Sequence, residues 1–229
     1  MTTSQISTHH LTLRQAIATD VDWAAPLVFS AGPALFSYIF ASPQAQAQDI
    51  LRQAFVQPHH AFSYEHTQVV EVEGHPVGVL ISYPGDFKQQ ADEKVHFVMA
   101  RILPLRKLPK ILVNIADFSR IKQDVSPDDY YILGMSVMPE FRNQGIGSYL
   151  LAQAEAQAQQ WSCQNICADI TYTNTSAKRL FERHHYAITC SKSTDRFHQM
   201  TRAGGLHRVS KTLNVWAYLI RMENTFNRL

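Results

Sequence analysis

The residues with the clearest chemical meaning are Arg142-Asn143-Gln144-Gly145-Ile146-Gly147-Ser148. Gly145 and Gly147 have no side chain to obstruct a close ligand, and Arg142 adds a positive charge. If a helix begins here, its first N–H groups have no partner inside the helix, and its dipole presents its positive end. Such an arrangement suits a phosphate or pyrophosphate group. The spacing is neither Gly-x-Gly-x-x-Gly nor a P-loop, since no Gly-Lys-Ser/Thr follows. An Arg-x-x-Gly-x-Gly turn also occurs in α/β proteins that bind nothing, so the neighbouring elements must decide.

Those elements are legible. Tyr130 to Val137 is apolar, β-branched and aromatic, and reads as a buried strand that Pro139 stops. Ile146, Leu150, Ala154, Ala158 and Trp161 then recur at helical spacing. Upstream, Leu11 to Ile17 alternates as a strand. Thr19 with Asp22 resembles a capping box opening a helix to about Ser30. Gly32-Pro33 breaks that helix, and further helices are expected over Ala34 to Phe40 and Ala45 to Val56. Gln68 to Glu73 and Pro76 to Tyr83 form a hairpin about Gly74, with Gly78 and Gly85 serving packing and a turn. Residues 86–129 read as an inserted pair of helices punctuated by Pro104 and Pro109. Arg101, Arg106, Lys107 and Lys110 make its middle basic, for which a solvated face is the default reading and substrate contact the alternative. Downstream come a strand over Asn165 to Thr171, a helix capped by Asn174, and strands over Tyr186 to Thr194 and Leu206 to Leu213.

The bulk properties narrow the classes. A chain of 229 residues with net charge +2 and no run of basic residues gives no footing for nucleic acid. Cys163, Cys167 and Cys190 form neither a Cys-x-x-Cys pair nor a disulfide framework, and His9-His10 and His59-His60 are too isolated for a metal site, so no metal is expected. The start lacks the apolar core of a signal peptide and no run is long enough to span a bilayer, which points to the cytoplasm and to no membrane partner. With no repeat or linker, one domain over residues 11–213 is favoured, after a flexible start at 1–10. The extension at 214–229 carries Trp216, Tyr218, Ile220 and Phe226. It must be covered by its own domain or by a subunit interface, the latter making a homodimer one option.

The order strand, helices, hairpin, strand–Arg-x-x-Gly-x-Gly–helix, strand–helix, strand, strand resembles the GNAT N-acetyltransferase superfamily. The resemblance rests on Arg142 to Gly147 behind Val137-Met138-Pro139-Glu140. It rests equally on Asn174-Thr175-Ser176-Ala177-Lys178-Arg179-Leu180-Phe181, with His185-Tyr186 where the family commonly has Gly-Phe. It implies a central mixed, mostly antiparallel sheet flanked by helices, with the helical insertion between the third and fourth strands. It also implies acetyl-CoA as co-substrate and a primary amine of a small-molecule or peptidic acceptor. The pantetheine arm would run beside Met135, Ser136 and Val137, where two strands splay apart. Backbone amides from Asn143 to Ser148, with Arg142, would hold the pyrophosphate, and Asn174, Ala177 and Phe181 would line the thiol end. The family often has a Tyr at the position of Phe181 to protonate the thiolate, and often a Glu base where this chain has Leu133, Gly134 and Met135. Asp169, Tyr172 and Tyr131 are the nearest replacements by position, each equally able to serve structure alone. Phe29, Phe36 and Tyr38 are the candidate acceptor contacts. A non-catalytic acyl-CoA sensor is the alternative that Phe181 suggests, and the apolar insertion leaves room for a longer acyl donor.

Overall fold

The computed structural model describes residues 11–213; what was expected of residues 1–10 and 214–229 lies outside the described residues. Seven strands form one sheet: β1 (Leu11–Gln15), β2 (Thr67–Val72), β3 (His75–Pro84), β4 (Asp129–Val137), β5 (Asn165–Thr171), β6 (Ala187–Lys192) and β7 (Leu206–Thr212). Their order is β1-β2-β3-β4-β5-β7-β6. Every neighbouring pair is antiparallel except β4 with β5. The sheet is thus mixed and mostly antiparallel, as expected, with the last strand inserted between β5 and β6.

Side chains on β4 alternate between two cores, as the period of a strand demands. Tyr131 points into one, with α1 (Val21–Ala31), α3 (Gln44–Phe55) and α4 (Gly85–Ile102). Tyr130 and Ile132 point into the other, with α6 (Ile146–Gln160) and α7 (Thr175–Arg183). A third, smaller cluster joins α2 (Pro33–Ile39), α5 (Leu108–Ser119) and α8 (Asp195–Thr201) through Tyr38, Phe197, Phe118 and Leu206. The helices lie within a few residues of their expected bounds because their apolar faces are strongly periodic. Leu51 and Phe55 of α3, for example, are each 1% exposed, and burying such a side chain contributes about 1.5–3 kcal/mol.

Two local expectations need correcting. The first helix is not opened by Thr19 and Asp22. Asp20 accepts the Ile17 N–H at 2.9 Å and is gripped by Arg14 at 2.7 and 3.0 Å, while Asp22 pairs with Arg52 at the surface. Secondly, α8 is unannounced by the strand pattern around it. Its cap is conventional nonetheless, the Thr194 hydroxyl accepting the Phe197 N–H at 3.1 Å. The β3–α4 junction shows why Gly85 is needed: a Cβ there would lie 1.9 Å from the Ser126 carbonyl oxygen.

Beneath this junction His66 is wedged 4.0 Å from the Phe87 ring and 5.9 Å from that of Tyr83. Its Nε2 is buried with no hydrogen-bond partner among the described residues. Burial therefore lowers its pKa from the usual 6.5 to about 4. The unfolded chain takes up this proton near 6.5 and the folded chain only near 4, so stability from this group is lost as pH falls through that window. The variant His66→Phe is expected to lose less of its melting temperature than the parent between pH 6.5 and 4, with parallel curves above about pH 7. Scanning calorimetry across that range checks it; equal acid slopes would refute it.

Candidate active site

The sheet opens at β4. In the β3–β4 ladder Ile81 faces Gly134 and Ser82 faces Ile132, which leaves Leu133 as an extra residue on β4. One extra residue bends a strand and sharpens its twist. The parallel pairing of β4 with β5 ends at the same level, with Ile132 opposite Ala168. Beyond it, β5 continues from Asp169 to Thr171 against β7 alone. From Leu133 to Val137, β4 therefore keeps β3 on one side and has no strand on the other among the described residues. Such an edge can accept an extended ligand as an added strand.

The free edge leads into the glycine turn. The Met138 N–H donates to the Val77 carbonyl at 2.8 Å, and a single turn of tight helix over Pro139–Phe141 follows. The Arg142 guanidinium folds back to donate to the Val137 carbonyl at 2.9 Å, and the Gln144 amide donates to the Glu140 carbonyl at 2.8 Å. Asn143 and Gly145 both have positive φ, 61° and 92°, with Gln144 between them. Alternating handedness of this kind turns successive N–H groups to one side, as in an anion-binding nest. The first helical hydrogen bond is donated by Tyr149 to the Gly145 carbonyl at 3.0 Å. Among the described residues, the N–H groups from Asn143 to Ser148 find no acceptor. The Ile146 side chain, 1% exposed, anchors the turn in the core, and Gly147 lets Leu180 of α7 approach to 3.3 Å of where a Cβ would stand.

Opposite the turn, Asn174 caps α7, its side-chain oxygen accepting the Ala177 N–H at 3.0 Å. Phe181 is 4% exposed and meets Tyr186 edge-on at 5.0 Å. It is a packing residue with no proton to give. On β4, Met135 and Val137 lean on the α6 core, and Ser136 hydrogen-bonds Ser30 of α1 at 2.5 Å. Because Ser30 donates its own proton to the Leu27 carbonyl, Ser136 is the donor in that pair.

Of the three candidate acid–base residues, the structure brings two together. The Tyr131 hydroxyl donates to Asp169 at 3.1 Å. Arg208 of β7, which sequence reasoning missed, grips both carboxylate oxygens of Asp169 at 2.7 and 2.9 Å. The same guanidinium donates to the backbone carbonyls of Gln123 and Asp124. Complete burial, with the Asp169 charge second, holds the Tyr131 hydroxyl well above its usual pKa. Tyr131 thus stays protonated, and both Asp169 oxygens are already accepting hydrogen bonds. Nearby Cys167 is pushed up to about 12, chiefly by burial, and is no nucleophile. Tyr172 stands apart, stacked on His207 at 4.1 Å. No sequence pattern singles out Arg208, since β7 carries its apolar residues at Leu206 and Val209 and does not alternate. The three candidate acceptor contacts are all buried side chains. Phe29 and Phe36 are 3% and 6% exposed and pack in the α1 core with their rings tilted, centres 6.3 Å apart. Tyr38 is 3% exposed, with its hydroxyl donated to Asp117 at 2.6 Å. Phe29 and Phe36 belong to the α1 core and Tyr38 to the smaller cluster with α8.

A parted strand pair with a free edge running into unpartnered amides is the arrangement expected of an acyl-CoA transferase, and the family comparison agrees. The model of the acetyltransferase (GNAT) family matches residues 34–186, well over half of the chain. The chain belongs to the GNAT acetyltransferase family. Members of the family are acetyl-CoA-dependent and acetylate amine acceptors. Among solved structures, the GNAT chain is similar to an N-acetyltransferase from Staphylococcus aureus Mu50 at 18% identity and TM-score 0.65, covering 87% of this chain and 100% of that one. It is also similar to a structure described as an acetyltransferase, at 20% identity and TM-score 0.62, covering 89% and 100%. An agmatine N-acetyltransferase mutant aligns at 12% identity and TM-score 0.53, covering 89% and 100%. No curated protein sequence matches.

Two variants test this geometry. Asp169→Asn breaks an ion pair whose side chains are 8% and 10% exposed; stranding Arg208 is expected to cost about 3–5 kcal/mol. That corresponds to a melting temperature lower by roughly 10 °C, and a drop of under about 2 °C would refute the reading of this pair as structural. Gly145→Val forces a branched side chain to a φ of 92°, distorting the nest. Calorimetry is expected to show acetyl-CoA affinity lower by about tenfold or more; unchanged affinity would remove the turn from the binding site.

Proposed function

We propose that the protein transfers an acetyl group from acetyl-CoA to a primary amine of a small-molecule or peptidic acceptor by direct attack. The observation that carries this is the unpaired edge of β4 from Leu133 to Val137 leading straight into the free amides of Asn143 to Ser148. A flexible pantetheine arm pairs along that edge beside Met135, Ser136 and Val137. Its diphosphate meets the amides at the mouth of α6, with Arg142 adding charge at the rim. Asn174, Ala177 and Phe181 flank the thiol end. Held at both ends, the thioester is oriented without a dedicated side chain, and orientation of this kind accounts for much of the rate in bimolecular transfers. That an agmatine N-acetyltransferase shares the fold supports a small primary amine as one acceptor class.

In the reaction the amine nitrogen bonds to the acetyl carbon, the carbon–sulfur bond breaks, and the electron pair leaves on the CoA sulfur. The amine proton passes to solvent. Asp169 and Tyr131 enter as positioning residues, since their polar atoms are committed to Arg208 and to each other. Tyr172 is the remaining hydroxyl by position, and Phe181 has none.

Without a dedicated base, the acceptor itself sets the pH dependence, because only the neutral amine attacks. The rate constant kcat/KM is expected to rise with unit slope up to the acceptor's own pKa, and an acceptor of lower pKa should reach its plateau correspondingly earlier. Following free thiol across a panel of amines with acetyl-CoA measures both activity and profile. An inflection that stays fixed when the acceptor changes would identify an enzyme base and overturn the solvent route. Absence of thiol release across the whole panel, with acetyl-CoA bound, would favour the sensor reading instead.

A further inference from the structure

We propose that the corner between α4 and α5 docks the protein on an anionic lipid surface. From Lys94 to Ala116 the chain contains no Asp or Glu but carries Lys94, Arg101, Arg106, Lys107 and Lys110. The same stretch holds four of the nine large apolar side chains that stand exposed among the described residues. Leu105, at the corner itself, is 78% exposed, Phe97 63%, Leu112 57% and Val113 51%. Helical periodicity turns Phe97 of α4 and Leu112 and Val113 of α5 outward, and Leu105 stands in the short turn between the two helices. Phe97 and Arg101 lie one turn apart on α4, with the guanidinium 4.2 Å from the ring centre. Pro109, Leu112, Val113 and Ala116 share the exposed stripe of α5.

The corner is braced rather than loose. Lys107 donates to the Ser42 hydroxyl at 3.0 Å and to the Gln46 side chain at 2.5 Å, tying it to the start of α3. On the inner side Ile111 and Asn114 are fully buried, and Asn114 donates to the Tyr38 carbonyl at 2.6 Å. The acid that ends the basic stretch, Asp117, is buried against Tyr38 and Thr194, and so does not offset the surface charge. Glu93 lies a turn before Phe97, away from the corner.

A bilayer fits this surface better than a protein groove or a nucleic acid. The most exposed apolar residue is in the turn between the helices, and exposed aliphatic side chains with cations close by in the chain are what an interfacial anchor buries among acyl chains and anionic headgroups. Nucleic acid would use the cations but would find nothing to stack on Leu105, Leu112 or Val113. Docking of this kind needs no spanning segment; among the described residues no helix is long and apolar enough to cross a membrane.

Flotation of the full chain with vesicles tests the proposal. Phosphatidylcholine vesicles containing phosphatidylglycerol are expected to carry the protein, with binding that falls as salt rises, and phosphatidylcholine alone is not. Replacing Arg101, Arg106 and Lys110 together by Gln is expected to lower the partition coefficient about a hundred-fold, and Leu105→Ser with Leu112→Ser about tenfold. Unchanged circular dichroism and acetyl-CoA affinity in both variants show that the fold is intact. No flotation with anionic vesicles at low salt, equal flotation with neutral ones, or indifference to the Gln variant would overturn the proposal. So would a dimer in solution that the Ser variant dissociates, because the occupant of this face would then be a second copy of the chain.

Discussion

The structure depends on a single extra residue. Leu133 has no opposite number on β3, and the bend it imposes takes β4 out of reach of β5 one residue after Ile132. Buried backbone groups without partners are costly, so a sheet parts in this way only where something else can use the exposed edge. Everything required for binding an extended thioester follows from that parting. It frees the β4 amides and carbonyls and sets the start of α6 at the end of the free edge. It also leaves β4 and β5 without ladder pairing beyond Ile132 and Ala168.

The level at which β4 and β5 part is fixed by electrostatics as well as by geometry. Arg208 on β7 stands directly opposite Asp169 on β5 and clasps it together with the backbone carbonyls of Gln123 and Asp124, while Tyr131 on β4 donates to the same carboxylate. One guanidinium thus links β7, β5, and the chain entering β4 at the level where β4 and β5 diverge. Removing either charge leaves the other buried and alone, which is why such a pair resists loss even where its net contribution to stability is small. Rigidity here matters to transfer chemistry, because a thioester oriented by backbone pairing is only as well placed as the strands that orient it.

Much of this was legible in the sequence. The periodicity of α3 and α6, the Glu73-Gly74 hairpin and the cap at Asn174 are local features, and local chemistry is what a sequence displays. The glycine turn was legible for the same reason: Gly145 and Gly147 stand between a strand stopped by Pro139 and a helical repeat, where a helix mouth must form. What stayed hidden was set by tertiary contact. Nothing local distinguishes Asp169 as a free base from Asp169 as the partner of a residue thirty-nine positions later. Likewise Phe36 carries the same aromatic signal in a cleft or in a core, and its packing against the Phe40 and Phe62 rings shows only in three dimensions. The bulge at Leu133 was invisible because a strand that gains one residue still reads as a strand.

These placements together constrain the chemistry that the fold can support. Phe181 offers no proton, Tyr131 is kept from giving up its own by burial, and both oxygens of Asp169 are taken. Oriented direct attack remains sufficient, because a CoA thiolate leaves readily at neutral pH and an amine that is neutral by its own equilibrium needs no base. On the proposed mechanism the protein's contribution is mainly entropic: two reactants are held in register along a strand edge and proton traffic is left to water. An enzyme of this design is selective for acceptors whose neutral form is already populated, since the neutral fraction of the amine enters the rate directly.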